Sequence, residues 1–205
     1  MTKLDAYTRI DPDKVPTLIE EVNPHLTGTV FPAEETTILT KELSFYKSYT
    51  LLDITNHALT PVPRRYVLKS KDKIIPLNFT NEPIYALNQD GALNLNGQNI
   101  DEYARFFFEF VHGPKGRFQI VETLDDIEWL QEPSTPERHA LAPKVNPISV
   151  SQGENGDFIL QINVIFKGTL LDLSVEIDKN GTVDIKNQKL KEKDLAVKES
   201  FTGSF

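Results

Sequence analysis

The segment His112-Gly113-Pro114-Lys115-Gly116-Arg117 has the residue types that come nearest to a binding site. Two glycines allow a tight turn, and His112, Lys115 and Arg117 bring basic groups to one loop of an acidic protein. A glycine-rich turn with exposed amides can hold an anion, so a small anionic ligand is one possible occupant. The segment also follows a predicted helix, whose negative carboxyl end attracts basic side chains without any ligand. Because the Gly-x-x-x-x-Gly-Lys-Ser/Thr pattern is missing, the segment is not a Walker loop.

Phe108 is the second candidate, because it interrupts the pattern of the helix that precedes this loop. The spacing predicts a helix from Ile100 to about His112, with Asn99 as its N-cap. Its apolar face would consist of Ile100, Tyr103, Phe106, Phe107, Phe110 and Val111. Phe108 projects from the other side, among charged residues. Either a neighbouring loop covers Phe108, or the ring is exposed for a subunit contact or the lip of an apolar pocket.

Other chemistry finds no support in the residue pattern. The chain has no cysteine, which excludes disulfides, thiolate catalysis and cysteine-ligated zinc. The four histidines form no His-x-x-x-His or His-Glu-x-x-His motif, and there is no Gly-x-Ser-x-Gly elbow. We therefore predict no metal and no cofactor, and we identify no catalytic residue.

Charge and hydropathy bear on the partners. With 30 acidic and 22 basic residues, the formal charge is −8. That charge disfavours nucleic acid, which usually binds a concentrated basic face. We expect no membrane partner either, because the longest apolar stretch is far shorter than a bilayer span. The first residues lack the pattern of a secretory signal, so a cytoplasmic location is expected.

The N-terminal half predicts a mixture of helix and hairpins. Asp11 would cap a short helix over residues 12–22. Residues 49–55 have strand composition, although apolar residues around them also satisfy helical spacing. Segments 65–68 and 73–77 flank a polar turn and predict a hairpin. Segments 84–87 and 92–95 flank Asp90-Gly91, a dipeptide typical of tight turns, and predict a second hairpin.

The C-terminal part predicts a β-meander. Apolar residues alternate along 158–166 and 171–177, which indicates an antiparallel sheet with one buried and one exposed face. Asn180-Gly181 would turn the chain into a third strand, and the charged tail from Lys186 would be loosely held. The predicted fold is therefore α+β: an antiparallel β-meander covered on one face by the central aromatic-rich helix, with additional N-terminal hairpins.

The proline-rich segment 131–147 is the one predicted internal boundary. It would separate an N-terminal hairpin and helix region, 1–128, from the C-terminal meander, 148–205, or form a loop-like crossover within one continuous domain. The residues favour a binding or assembly module, with a second copy or another protein as partner. The alternative is a small-molecule enzyme with its pocket between the helix and a curved sheet.

Overall fold

The computed structural model describes residues 7–198, which divide into two compact units between Asn94 and Leu95. Each unit combines helices with an antiparallel sheet, which confirms the α+β class and the antiparallel pairing. The segment 131–147 lies inside the second unit. The assignment of one or two domains to the chain stays a prediction.

The first unit contains a five-stranded sheet whose strands follow one another in chain order. The strands are β1 (Thr8–Arg9), β2 (Thr36–Glu42), β3 (Thr50–Asn56), β4 (Arg64–Lys69) and β5 (Ile74–Pro76). The helices are α1 (Val15–Val22), which continues a 3-10 turn at Pro12–Lys14, and α2 (Glu82–Gln89). The strand predicted at 49–55 and the hairpin of 65–68 with 73–77 are confirmed as β3, β4 and β5, with β5 at the edge of the sheet.

Helix α1 forms where the sequence predicts it, for the predicted reasons. The Asp11 carboxylate accepts a hydrogen bond from the Asp13 amide at 3.2 Å, so it caps the turn that begins at Pro12. Val15, Ile19 and Val22 recur at helical spacing and are buried. They pack in one core with sheet residues Ile38, Leu52, Ile54 and Val67.

Helix α2 replaces the hairpin predicted around Asp90-Gly91, so that prediction is wrong. Pro83 occupies the first turn of a helix, where its missing N–H is harmless. Ile84, Leu87 and Asn88 are buried at helical spacing. Gly91 has φ +79° and its N–H donates to the Asn88 carbonyl, so it ends the helix.

The second unit contains the other sheet, with β10-β9-β8-β6 in order and β7 also paired to β8. The strands are β6 (Gln119–Ile120), β7 (Ser149–Gln152), β8 (Phe158–Phe166), β9 (Thr169–Ile177) and β10 (Val183–Glu192). The helices are α3 (Ile100–Phe110) and α4 (Thr135–Leu141). Because β9 pairs with β8 along its whole length, β6 and β7 share the opposite edge of β8.

The predicted strands of the meander are confirmed, but the predicted loose tail is wrong in the described residues. Strand β10 continues to Glu192, and the Leu195 amide donates to the Gly168 carbonyl at 2.8 Å. Val197 is buried. The rest of the tail, 199–205, lies outside the described residues.

Ile165 and Leu170 lie on the face of the second sheet that was predicted to be exposed, and they are buried in a cluster, so part of that prediction is wrong. The prediction of a loop-like stretch over 131–147 is also wrong, because this segment forms α4 and a 3-10 turn at Ala142–Lys144. A capping box between Ser134 and Glu137 starts α4. The cluster on this second face comprises Val121, Leu124, Ile127, Leu141, Val145, Ile165, Leu170 and Val197.

Candidate functional site

The structure buries Phe108, although it lies on the side of α3 that carries charged residues. Its exposed fraction is 4 %. The ring lies edge-on to Phe118, with ring centres 6.2 Å apart, and Phe118 lies 4.8 Å from Phe166 of β8. The segment that follows α3 therefore covers Phe108, which is the first of the two alternatives. An assembly contact through an exposed Phe108 loses its basis.

The loop after α3 is a tight turn that brings two of the three basic candidates together. Gly113 and Gly116 exchange two backbone hydrogen bonds of 3.0 Å, which leaves Lys115 at the exposed tip. The Arg117 guanidinium pairs with the Glu109 carboxylate at 3.1 Å, and His112 Nε2 lies 3.0 Å from the Glu109 carbonyl oxygen. His112 and Arg117 thus meet at the carboxyl end of α3, where basic side chains are favourable without a ligand.

Burial lowers the pKa of His112 below its usual value, and the nearby positive charge of Arg117 acts in the same direction. The hydrogen bond with the Glu109 carbonyl opposes this shift but does not cancel it. At neutral pH, His112 is therefore uncharged, and this loop offers an anion less positive charge than the sequence indicates. As a ligand site for an anion, the loop stays a prediction.

A cleft of about 430 Å³ lies in the first unit, where the chain leaves the edge of β2. Strand β1 pairs with only two residues of β2, and the last hydrogen bond joins the Ile10 amide to the Ile38 carbonyl at 2.9 Å. The turn at Pro12–Lys14 then carries the chain away, and a gap opens beside the start of β2. The cleft is lined by Arg9, Ile10, Pro12, Val15, Pro16, Ala33, Glu34, Glu35, Thr36, Thr37 and Ile38.

The lining combines apolar residues with a few polar ones. Val15 and Ile38 are buried, with exposed fractions of 5 % and 0 %, and Ile10 is half-buried. Glu34 and Glu35 stand exposed at the mouth. An apolar interior with a few polar groups at the entrance is typical of ligand-binding clefts, and the volume falls in their usual range.

One of these carboxylates is held in place by a buried amide. Asn56 Nδ2 donates to Glu35 Oε2 at 3.1 Å. Asn56 is itself fixed, because its side-chain oxygen accepts from the Ala58 amide at 2.8 Å and its backbone N–H donates to the Pro63 carbonyl at 3.1 Å. Asn56 lies opposite Thr36 in the β2–β3 register, two residues from the pair of Ile38 and Ile54. Glu35 is therefore held on the same face of the sheet as the apolar interior of the cleft.

Arg9 contributes to the cleft from the other face of the sheet. In the β1–β2 register it lies opposite Leu39, the neighbour of Ile38, and successive strand residues point to opposite faces. Its side chain takes part in no ion pair within residues 7–198. Arg9 thus forms no ion pair with Glu34 or Glu35 within the described residues.

Three large apolar side chains are exposed at the same end of this sheet. The exposed fractions are 77 % for Val30, 51 % for Leu59 and 43 % for Val62. Leu59 and Val62 lie in the loop between β3 and β4, next to Asn56. The segment containing Val30 is tied to β4, because Arg65 Nη2 donates to Thr29 Oγ1 at 3.1 Å. We call the cleft together with Val30, Leu59 and Val62 the cleft end of the first sheet.

Sequence reasoning missed the cleft end. The apolar residues of the loop at 57–63 were the available signal, since Leu59 and Val62 stand in a segment without strand or helix pattern. The cleft itself gave no local signal, because its two walls come from residues 9–16 and 33–38. The β1–β2 pairing and the packing of α1 against β2 bring those walls together.

The chain matches no protein family, no curated protein and no solved structure. Within residues 7–198, no group of three histidine, aspartate or glutamate residues could hold a metal ion. In the same range, no helix combines the length and the hydropathy needed to cross a bilayer.

Proposed function

We propose that this protein is a binding module that docks a protein partner at the cleft end of its first sheet. The observation that carries the proposal is that the cleft and three exposed apolar side chains, Val30, Leu59 and Val62, occur at one end of one sheet. Single exposed apolar residues are common on any surface, but grouped ones mark interaction sites. A partner would place one anchoring side chain in the cleft and cover the apolar residues around it.

The exposed apolar side chains of Val30, Leu59 and Val62 support a protein partner over a small-molecule substrate, because they lie outside the cleft and a small ligand inside it would leave them uncovered. Pro12 and Pro16 of the lining are exposed. None of the described residues that line it is a histidine, the side chain most often used as general acid or base. No particular observation favours the alternative of an enzyme with a pocket between a helix and a curved sheet.

The position of α3 over the meander, the kinds of partner and the location of the protein are also part of the proposal. The Tyr103 hydroxyl donates to the Gly181 carbonyl at 2.6 Å, and this contact supports α3 as the cover of the meander. The charge of −8 supports the prediction that nucleic acid is not a partner. A cytoplasmic location, the lack of a membrane partner and a homo-oligomer stay predictions.

A random dodecapeptide library displayed on phage provides a test. Peptides selected on the full chain should lose about tenfold or more in affinity for the Pro16→Trp variant, because the indole covers the mouth of the cleft. Thr17→Trp is the matched control: it adds the same bulk at the next exposed position of α1, outside the lining, and should bind as the unchanged protein does.

Two results would overturn the proposed function. One is a library that yields no binding peptide. The other is a set of peptides whose affinity is the same for Pro16→Trp, Thr17→Trp and the unchanged protein. Thermal unfolding of both variants checks that each remains folded.

A further inference from the structure

We infer that the side chain anchored in the cleft is basic, an arginine or a lysine, so that the docking segment of the partner is a basic peptide. This inference rests on the proposed function and names the chemistry of the partner. It follows from the apolar interior of the cleft, the two carboxylates at its mouth and the charge of the whole chain.

The interior of the cleft suits the stem of a long basic side chain. Arginine and lysine bury their methylene groups against apolar surface while the charged head stays near water or a counter-ion. Ile10, Pro12 and Pro16 line the cleft, are partly or fully exposed, and supply such a surface. A fully apolar anchor would bury equally well here but would form no charge-assisted hydrogen bond with the carboxylates.

The mouth supplies the counter-ions. Neither Glu34 nor Glu35 forms an ion pair within the described residues. Asn56 binds only Oε2 of Glu35, and in the described part of the chain no other hydrogen bond reaches this carboxylate. Glu35 is thus oriented in advance, with one oxygen available to a donor. A guanidinium or ammonium group would form a charge-assisted hydrogen bond there.

The balance of charge at the cleft favours a cation. Arg9, the one basic residue of the lining, lies on the other face of the sheet from Glu35 and Ile38. The full chain carries eight more negative than positive charges, which attracts basic segments and repels acidic ones. An acidic anchor would approach Glu34 and Glu35 against repulsion.

The peptides selected on phage supply the probe. Each selected peptide that binds the Pro16→Trp variant more weakly than the unchanged protein is synthesised again with its basic residues replaced one at a time. Citrulline replaces arginine and norleucine replaces lysine, so the length of the side chain is kept and the charge is lost. Titration calorimetry should show one position at which this change weakens binding about tenfold, the usual scale for a charge-assisted hydrogen bond.

The same titrations with Glu35→Gln identify the contact. Glu35→Gln should lower the affinity for the parent peptide about tenfold. It should not lower the affinity for the citrulline or norleucine peptide any further. Glu20→Gln is the matched control, because it removes the same charge from an exposed position of α1 outside the cleft, and it should leave the affinity unchanged.

The remaining outcomes separate a failure of the basic anchor from a failure of the proposed function. Peptides that are sensitive to Pro16→Trp but contain no basic residue, or bind equally after the citrulline or norleucine replacement, overturn the basic anchor and leave the proposed function standing. An equal effect of Glu35→Gln and Glu20→Gln also overturns it, since the contact would then be general attraction. Insensitivity to Pro16→Trp overturns the proposed function itself.

Discussion

The charge of His112 is interpreted differently from the sequence and from the structure. In the sequence it adds to a basic loop, while in the structure it lies 3.0 Å from the Glu109 carbonyl oxygen at the carboxyl end of α3, beside Arg117. Burial and the charge of Arg117 lower its pKa. The residue types of this loop could be read from the sequence, but the burial that sets the charge of His112 could not.

The lowered pKa of His112 predicts a pH dependence of stability. In the unfolded chain, histidine titrates near pH 6.5, and in the folded protein His112 titrates below that value. Between these two pH values the unfolded chain binds a proton that the folded protein does not. The free energy of unfolding should therefore fall as the pH falls from about 6.5 through the folded pKa.

Urea unfolding at about pH 7.5 and about pH 5.5 measures this effect. The His112→Gln variant should lose less stability than the unchanged protein between these conditions. His139→Gln, exposed on α4, is measured alongside and separates this position from the loss of any histidine. A folded-state pKa of His112 at or above 6.5 in an NMR titration would contradict the account.

At the scale of elements, the sequence predicts best where periodicity and boundary signals agree. Helix α3 and strands β8 and β9 show clean helical or alternating patterns, and their bounds lie close to the predicted ones. Helix α2 was missed because Asp90-Gly91 is equally suited to turn a hairpin or to end a helix. Helix α4 was missed because its four neighbouring prolines indicate a loop, although Pro136 lies in the first turn, where proline is favourable.

The aromatic contacts between α3 and β8 give a prediction at the scale of elements. Phe108 on α3 contacts Phe118, which contacts Phe166 on β8, so three rings connect the helix with the strand. Phe108→Ala would remove the first ring from a buried position and leave a cavity. We expect a loss of roughly 3–5 kcal/mol in the free energy of unfolding, the usual cost of removing a buried aromatic ring.

The matched control for Phe108→Ala is Leu130→Ala in the same unit. Leu130 has an exposed fraction of 68 %, so its truncation should change the free energy of unfolding by less than about 0.5 kcal/mol. Urea denaturation compares the two variants. Equal small effects would mean that Phe108 is exposed in solution, as the charged side of the helix suggested.

At the scale of the whole molecule, composition predicted the class of fold but not the location of a site. The alternating strands and the aromatic helix were sufficient to predict an α+β chain with antiparallel sheets. The cleft lies where β1 stops pairing with β2 and the turn at Pro12–Lys14 begins. The residues that form it are distant in the sequence, so no local pattern indicates its position. The aromatic residues that suggested a binding surface at α3 are used in the core instead.

The most direct test of the docking proposal is an NMR titration of the isotope-labelled full chain with a peptide selected on phage. We predict that the largest shifts fall on the methyl groups of Ile10 and Ala33, and that Val30, Leu59 and Val62 shift next. Shifts concentrated instead at Phe108, Lys115 and Arg117, with the methyl groups of the cleft unchanged, would contradict the account and return the binding surface to the loop after α3.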